Sequence, residues 1–419
     1  MNPVLSCDEY IPDVEARTFG DGYIYIYGSK DIPGNDLYCS RQYDVYRSYD
    51  LISWEKYSNV FSSTKAHRNN DGLLYAPDCE YINGQYCLFY CMDDGTEGVA
   101  FSNKPYGPFD NARPIIGADG GGIDPAVFVD DDGKVYYYWG QRESNGAQLD
   151  TKTWSIIPET LVNSLVTERE HGFHEGSSIR KRNGIYYYVF ADITRGRPTC
   201  LGYATASTPL GKFTKQGIII DNVLCDPSSW NNHGCIFQFK NKWYVFYHRS
   251  TGNSFFGRHA CIEQIFFDEM GHIDEVKMTT NGAESTISCK RTLFTSNICA
   301  LYGNSYLCGY NDGNNKYEYL ANLHNSDEFV FSNLTFDTEI SCIFIMASLL
   351  QDAYTVEVYV DNEENMLVSI NVNGAPGNFN YIEYSSYISG KEFTGEHDLK
   401  FRIVGEQGVL GNIVYIRFE

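Results

Sequence analysis

At 419 residues and a formal charge of −22, with acids spread along the chain, the sequence excludes a nucleic-acid partner, because such a surface repels phosphate backbones. No run approaches the roughly 18 apolar residues of a membrane span, and the length suits one large domain followed by a smaller one. With 34 Tyr, 25 Phe and 38 Gly, the composition is that of β-strands joined by tight turns.

The first strand-forming stretch, "DGYIYIYG" from Asp21, is one of five. It is followed by "NGQYCLFY" from Asn83, "DGKVYYYWG" from Asp132, "NGIYYYVF" from Asn183 and "NKWYVFYH" from Asn241. Each opens on a turn residue, usually followed by Gly, and continues as a buried aromatic strand. The starts lie 62, 49, 51 and 58 residues apart, the spacing of four-stranded propeller blades. "KPYGPF" and "TPLGKF" share Pro-x-Gly-x-Phe two units apart, in support of the repeat. The predicted fold is all-β: a five-bladed β-propeller over residues 1–295, then a jelly-roll-like β-sandwich over 296–419. In the second part "AYTVEVYVDNEENMLVSINVNG" alternates cleanly and "HDLKFRIVG" and "GNIVYIRFE" follow as strands.

Eight residues ahead of the five turns stand Asp13, Tyr75, Asp124, Glu175 and His233. If each turn joins the first two strands of a blade, these residues hold equivalent places on five innermost strands and gather at one mouth of the propeller. Singly, each has a plainer reading. Asp13 could cap a turn, Asp124 precedes a proline, and Glu175 could be a surface acid. His233 could be a structural histidine and Tyr75 wall packing. Surface acids, however, have no reason to keep the phase of a repeat, and clustered carboxylates in a pocket are costly unless function needs them. Two carboxyls facing each other across a sugar hydrolyse a glycosidic bond, one as acid and one as base or nucleophile. A third nearby raises the proton affinity of the acid. No metal-ligand spacing, phosphate loop or Gly-x-Ser-x-Gly elbow competes with that reading.

The segments "YIPDVEARTFGDGYIYIYGSKD", "YAPDCEYINGQYCLFY", "IDPAVFVDDDGKVYYYWG", "HEGSSIRKRNGIYYYVF" and "WNNHGCIFQFKNKWYVFYHR" together resemble glycoside hydrolase family 43, inverting five-bladed propellers, over about the first 290 residues. The resemblance implies that Asp13 is the general base and Glu175 the general acid, with Asp124 tuning and orienting Glu175. It implies that Tyr75 walls the pocket and that Arg258, in "FFGRHACIE", binds sugar hydroxyls. His233 matches an axial histidine that in many relatives neighbours a calcium or sodium ion, so it is expected both beside substrate and beside metal. The chain departs from the family's commoner "FFEASSI" and "HGSIV" at His174, Gly176 and Cys235. The Asn-Asp-Pro-Asn-Gly and Arg-Asp-Pro motifs of invertase-type propellers are missing, which argues against fructan cleavage.

From Tyr354 to Phe418 the chain resembles a family 6 carbohydrate-binding module. It lacks that family's opening Glu-Ala-Glu and has Val414 where the family has an acid, so the usual structural calcium site is expected empty. Asn412 and Phe379 match ligand-binding positions, and bracing of the propeller is the alternative role. The resemblance as a whole implies an enzyme that releases pentose from arabinoxylan or arabino/xylo-oligosaccharides. An α-L-arabinofuranosidase is favoured over a β-xylosidase or a bifunctional enzyme, and a non-catalytic glycan-binding propeller is a remote alternative. The chemistry requires no cofactor. Thirteen cysteines without regular spacing, and an opening "MNPVLSCDEYIPD" without a leader pattern, predict a cytoplasmic protein; a secreted chain whose leader had been removed would read the same.

Overall fold

The computed structural model describes residues 1–118, 122–336, 340–388 and 394–419. Five antiparallel sheets follow one another in the first part of the chain. Blade I comprises Glu15–Thr18 (β1), Ile24–Tyr27 (β2), Gln42–Ser48 (β3) and Trp54–Ser62 (β4). Blade II comprises Asp78–Ile82 (β5), Gln85–Cys91 (β6), Glu97–Ser102 (β7) and Asp110–Pro114 (β8). Blade III is built from Ala126–Val129 (β9), Val135–Trp139 (β10), Glu143–Asp150 (β11), Ser155–Ile156 (β12) and Val162–Thr167 (β13). Blade IV has Phe173–Arg182 (β14), Ile185–Asp192 (β15), Cys200–Ala206 (β16) and Thr214–Asp221 (β17), and blade V has Ile236–Phe239 (β18), Lys242–Ser250 (β19) and Arg258–Ile265 (β20). The innermost strands β1, β5, β9, β14 and β18 neighbour one another in that order, and β18 returns to β1. The ring is closed: this is a five-bladed propeller.

The tyrosine runs are explained by where second strands lie. Each is buried on both faces, and alternate residues go to opposite neighbours. Tyr137 and Trp139 of β10 pack toward blade II, while Tyr136 and Tyr138 pack toward blade IV. Five apolar clusters fill the five interfaces between blades in this way. The turns behave as their residues demand. Asn83-Gly84, Asn183-Gly184 and Lys240-Asn241 are two-residue connections with both φ positive, at 52° and 84°, 51° and 80°, and 46° and 66°. That is the hairpin geometry Asn-Gly favours.

Blade V has three strands, and its open edge is covered by the start of the chain. The Asn2 side chain accepts from the Ile262 amide at 2.9 Å and donates to the Ile262 carbonyl at 3.0 Å. The Val4 amide reaches the Ala260 carbonyl at 3.0 Å, so the edge groups of β20 are paired.

The later strands form a sandwich. One sheet contains Ile287–Ser288 (β21), Ala300–Tyr302 (β23), Glu328–Phe336 (β26), Tyr354–Val360 (β28), Met366–Val372 (β29) and Gly395–Val404 (β31). The other contains Leu293–Phe294 (β22), Tyr306–Asn311 (β24), Lys316–Ala321 (β25), Cys342–Leu349 (β27), Ile382–Tyr387 (β30) and Gly411–Phe418 (β32). A single apolar core with Phe329, Phe331, Val356, Phe401 and Ile416 joins them. Strands β21 and β22 belong to these sheets, so the sandwich takes up chain ahead of residue 296. All thirteen cysteines are free thiols, and eleven of them are buried.

Candidate active site

Asp13, Tyr75, Asp124 and His233 stand just ahead of β1, β5, β9 and β18, and Glu175 is the third residue of β14. All five line one cavity of about 240 Å³ at that mouth, and Arg258 lines it too. The phase read from the repeat thus converges in space.

Local backbone aims the acids inward. Asp13 and Asp124 adopt positive φ of 58° and 55°, a conformation that short polar side chains tolerate. Glu175 lies between two register shifts in the β14–β15 ladder, and such bulges re-aim side chains. Gly176 follows at φ 77°, and its amide donates to Asp124 Oδ2 at 3.0 Å. A Cβ there would stand 3.1 Å from the His233 ring, so the departure to glycine makes room for that imidazole.

The three carboxyls have distinct environments. Asp13, 5% exposed, accepts from the Ser29 hydroxyl and, at 3.0 Å, from Arg258 Nη1. His248 Nδ1 and His233 Nδ1 stand 3.5 and 3.7 Å from its Oδ1. Burial pushes the Asp13 carboxyl up, but the Arg258 guanidinium and then the two imidazoles more than offset it, holding it well below the usual carboxylate range. Asp124 is equally buried and, among the described residues, is paired with no guanidinium; the His233 Nδ1 near Asp13 also stands 3.9 Å from Asp124 Oδ2. Burial first, then the charges of Glu175 and Asp13, push it well above that range, the opposite direction from Asp13. Glu175 is half-buried; its Oε2 accepts from Gln141 Nε2 at 2.8 Å and its Oε1 from Asn231 Nδ2 at 3.3 Å.

This asymmetry makes Asp124→Asn informative. Asn keeps the acceptor for Gly176 and tolerates the positive φ, but it cannot carry charge. A carboxyl whose folded-state pKa is raised contributes stability below its unfolded pKa and loses it as pH rises through the folded value. Asp124→Asn should therefore melt with the wild type near pH 4 and above it at neutral pH, by on the order of 2–4 °C. Turnover should fall about a hundredfold or more. Thermal melts across pH, beside initial rates, check both.

Arg258 does more than line the pocket. Its Nε and Nη2 grip Asp31 at 2.8 and 2.9 Å, Nη1 holds Asp13, and Nη2 also approaches Cys39 Sγ at 3.7 Å. Of its five N–H groups one, on Nη1, is left without a partner among the described residues, so at most one bond reaches a sugar hydroxyl. The expectation of an ion at His233 meets a contrary donor set. No group of three or more His, Cys, Asp or Glu among the described residues could hold a metal. Further down the axis the chain supplies its own cations: Arg17 pairs with Asp78 and Glu80 at 2.6 and 2.5 Å, and Arg180 with Glu15 at 2.5 Å. An ion beside His233 would have to complete its shell with water or with backbone and amide oxygens.

Several contributors escaped the sequence reading. Asp31, His248, Gln141, Asn231, Tyr38 and Trp230 fix or line the site. Asn231 and Trp230 flank the "NHG" already singled out, and that proximity was the available signal. In the sandwich, Asn412 is 2% exposed and donates to Asn378 Oδ1 at 2.8 Å and Ser348 Oγ at 3.3 Å, so its amide is occupied internally. Phe379 is half exposed, with its ring 5.2 Å from that of Tyr310.

A propeller whose innermost strands deliver three buried or half-buried carboxyls into one cavity defines a glycoside-hydrolysing class of site. Comparison with known proteins gives the family. The sequence model for glycosyl hydrolases family 43 matches residues 1–273, and the chain belongs to that family. A xylosidase/arabinosidase of Thermoclostridium stercorarium is 31% identical, over 68% of each chain. An arabinoxylan arabinofuranohydrolase of Bacillus subtilis is 27% identical over all of this chain and 92% of its own. Among solved structures, a family 43 β-xylosidase/α-arabinofuranosidase from a compost microbial metagenome, in complex with xylotriose and in a calcium-free form, superposes with a TM-score of 0.57 at 28% identity. It covers 66% of this chain and 97% of its own. The protein is a glycoside hydrolase.

Proposed function

We propose that the protein is an inverting exo-acting glycosidase that releases single pentoses from arabinoxylan or its oligosaccharides, with α-L-arabinofuranosidase as its leading activity. The carrying observation is the one cavity of about 240 Å³ that brings together Asp13 bonded to Arg258, a buried Asp124 and a Glu175 fixed by Gln141 and Asn231. A space of that size takes one sugar ring rather than a chain.

In this reading Asp13, kept ionised by Arg258, draws a proton from water as the water attacks the anomeric carbon. Glu175, the most accessible of the three, protonates the departing oxygen at the mouth. Asp124 lies behind it, bonded to the amide of the next residue. Burial, then the charges of Glu175 and Asp13, raise the proton affinity of Asp124. Trp230, 40% exposed, and Tyr38 form the rim against which a leaving chain would lie. β-Xylosidase or dual activity is the second reading, because the names of two relatives join the two activities. The two p-nitrophenyl pentosides separate them: the α-L-arabinofuranoside should be hydrolysed faster than the β-D-xyloside. The reverse order makes the enzyme a xylosidase first, and equal silence on both removes pentosides and points to another furanose or galactan substrate.

A further inference from the structure

His259 follows Arg258 on β20, so its side chain points away from the pocket, toward the sandwich. It is 1% exposed, with Nδ1 3.0 Å from the Glu9 carbonyl and Nε2 2.9 Å from Glu318 Oε1 on β25. Against the Glu9 carbonyl and an ionised Glu318 carboxylate, both ring nitrogens donate. Tyr10 stacks on it at 4.3 Å. Glu318 Oε1 also accepts from Thr251 Oγ1 at 3.1 Å, while its Oε2 is buried without a hydrogen bond. The same hairpin holds the same loop a second time: the Leu307 carbonyl, on β24, accepts from the Gly252 amide at 2.7 Å.

The loop between β19 and β20 therefore has the sandwich behind it and the pocket in front. It carries Phe255, 6.1 Å from the Trp230 ring, and Phe256, edge-on to Tyr38 at 4.8 Å. Asp226 ties it to the Trp230 segment, accepting from the Asn253 amide at 3.0 Å and the Ser228 amide at 2.9 Å. At its end stands Arg258, whose guanidinium fixes the charge of Asp13.

We propose that Glu318, a residue of the C-terminal sandwich, is a positioning residue of the catalytic pocket: through His259 and Thr251 it fixes the segment from Thr251 to Arg258, and with it the guanidinium on Asp13 and the aromatic edge of the mouth. The sandwich is in this sense a wall of the active site. The inference rests on the proposed function for its kinetic consequences and on the fold alone for its structural ones. A rigid strand transmits a shift at His259 to its neighbour Arg258, and bonds at 2.8–3.0 Å tolerate little displacement.

The pair titrates. Burial alone lowers the His259 pKa, but the Glu318 carboxylate more than offsets it, and the Glu9 carbonyl and the charge of Asp31 act in the same direction, so the value is raised. The groups that face it are Glu318 from β25, Glu9 and Tyr10 from the N-terminal segment, Asp31 from the segment after β2, and Arg258 beside it on β20. A raised imidazole contributes stability that is complete below about pH 6.5 and lost as pH rises through the folded value.

The test uses the whole chain. Glu318→Gln keeps the shape and removes the charge; Glu383→Gln, which breaks the Arg417 pair elsewhere on the sandwich, is the control. Glu318→Gln should lower kcat about tenfold at a temperature well below its melting point, with a smaller change in KM. The acid limb of its kcat/KM profile should move to higher pH as Arg258 loosens from Asp13. Amides of residues 251–258 should exchange hydrogen faster than in the wild type and the control, and the gap in Tm to the wild type should narrow as pH rises. Unchanged kcat and unchanged acid limb overturn the proposal whatever happens to Tm, because a brace alone would give that result. If the wild type cleaves neither pentoside, the proposed function fails separately and exchange decides: unaltered protection of 251–258 then overturns this inference, and accelerated exchange supports it.

Discussion

Glu175→Ala should lower turnover on arabinoxylan oligosaccharides by about 10³–10⁴-fold while leaving the fold intact. The side chain is half-buried, its partners Gln141 and Asn231 are neutral amides, and no cation among the described residues is paired to it, so truncation strands no charge there. The sharper expectation concerns the leaving group. A sugar hydroxyl departs only when protonated, whereas p-nitrophenolate departs readily without help. The loss on the aryl pentoside should therefore be smaller than on the oligosaccharide by an order of magnitude or more. Removal of a merely structural acid would lower both rates together. Rates on the two substrates, beside a melting curve showing an unaltered Tm, separate these outcomes, and equal losses would remove Glu175 from the acid's role.

That Glu175 could be singled out at all reflects how a propeller writes itself into sequence. Each blade repeats the same order of innermost strand, tight turn and doubly buried strand, and the turn leaves a local mark in Asn183-Gly184 or Asn83-Gly84 that fixes the phase of what precedes it. Asp13, Asp124 and Glu175 were legible because they share that phase. His248 and Asp31 were not. His248 sits in "WYVFYHRS", where all but the first residue are buried, and a polar group in such a run looks like one more strand residue. Asp31 lies beyond β2 with nothing local to connect it to Arg258, 227 residues away. Glu318 misleads in another way. In "KYEYLA" the alternation puts glutamate among tyrosines and reads as a solvent-facing charge between core aromatics. In the structure Glu318 is buried against His259 and Thr251, because the propeller covers that face, while Tyr317 is half exposed and Tyr319 buried. Sequence periodicity records which residues share a face, and not what lies against it.

Arg258→Met should be the most destabilising single change at the site, by about 3–5 kcal/mol at neutral pH, because it leaves two buried carboxylates facing each other without their cation. Asp13 and Asp31 are 5% and 3% exposed, and all three charges are held in one network of bonds between 2.8 and 3.0 Å. In the wild type Asp31 is already pushed up, first by burial and, against the pull of Arg258, by the charge of Asp13. Without the guanidinium one of the two must take up a proton. The sign with pH follows from Asp13. A depressed carboxyl contributes stability above its unfolded pKa, near 4, and loses it as pH falls through the folded value. The deficit of Arg258→Met should thus be largest at neutral pH and shrink below about pH 4. Adding Asp31→Asn removes the surplus charge and should restore a large part of the lost stability, as coupled neighbours do and independent sites do not. Activity should return less than stability, since the double variant still lacks the cation that keeps Asp13 ionised, and the acid limb of kcat/KM should stay displaced to higher pH. Urea unfolding of the four members of this cycle at pH 7 and pH 4 measures the coupling. Additive losses at pH 7 would show that Arg258 acts on Asp13 by some route other than charge.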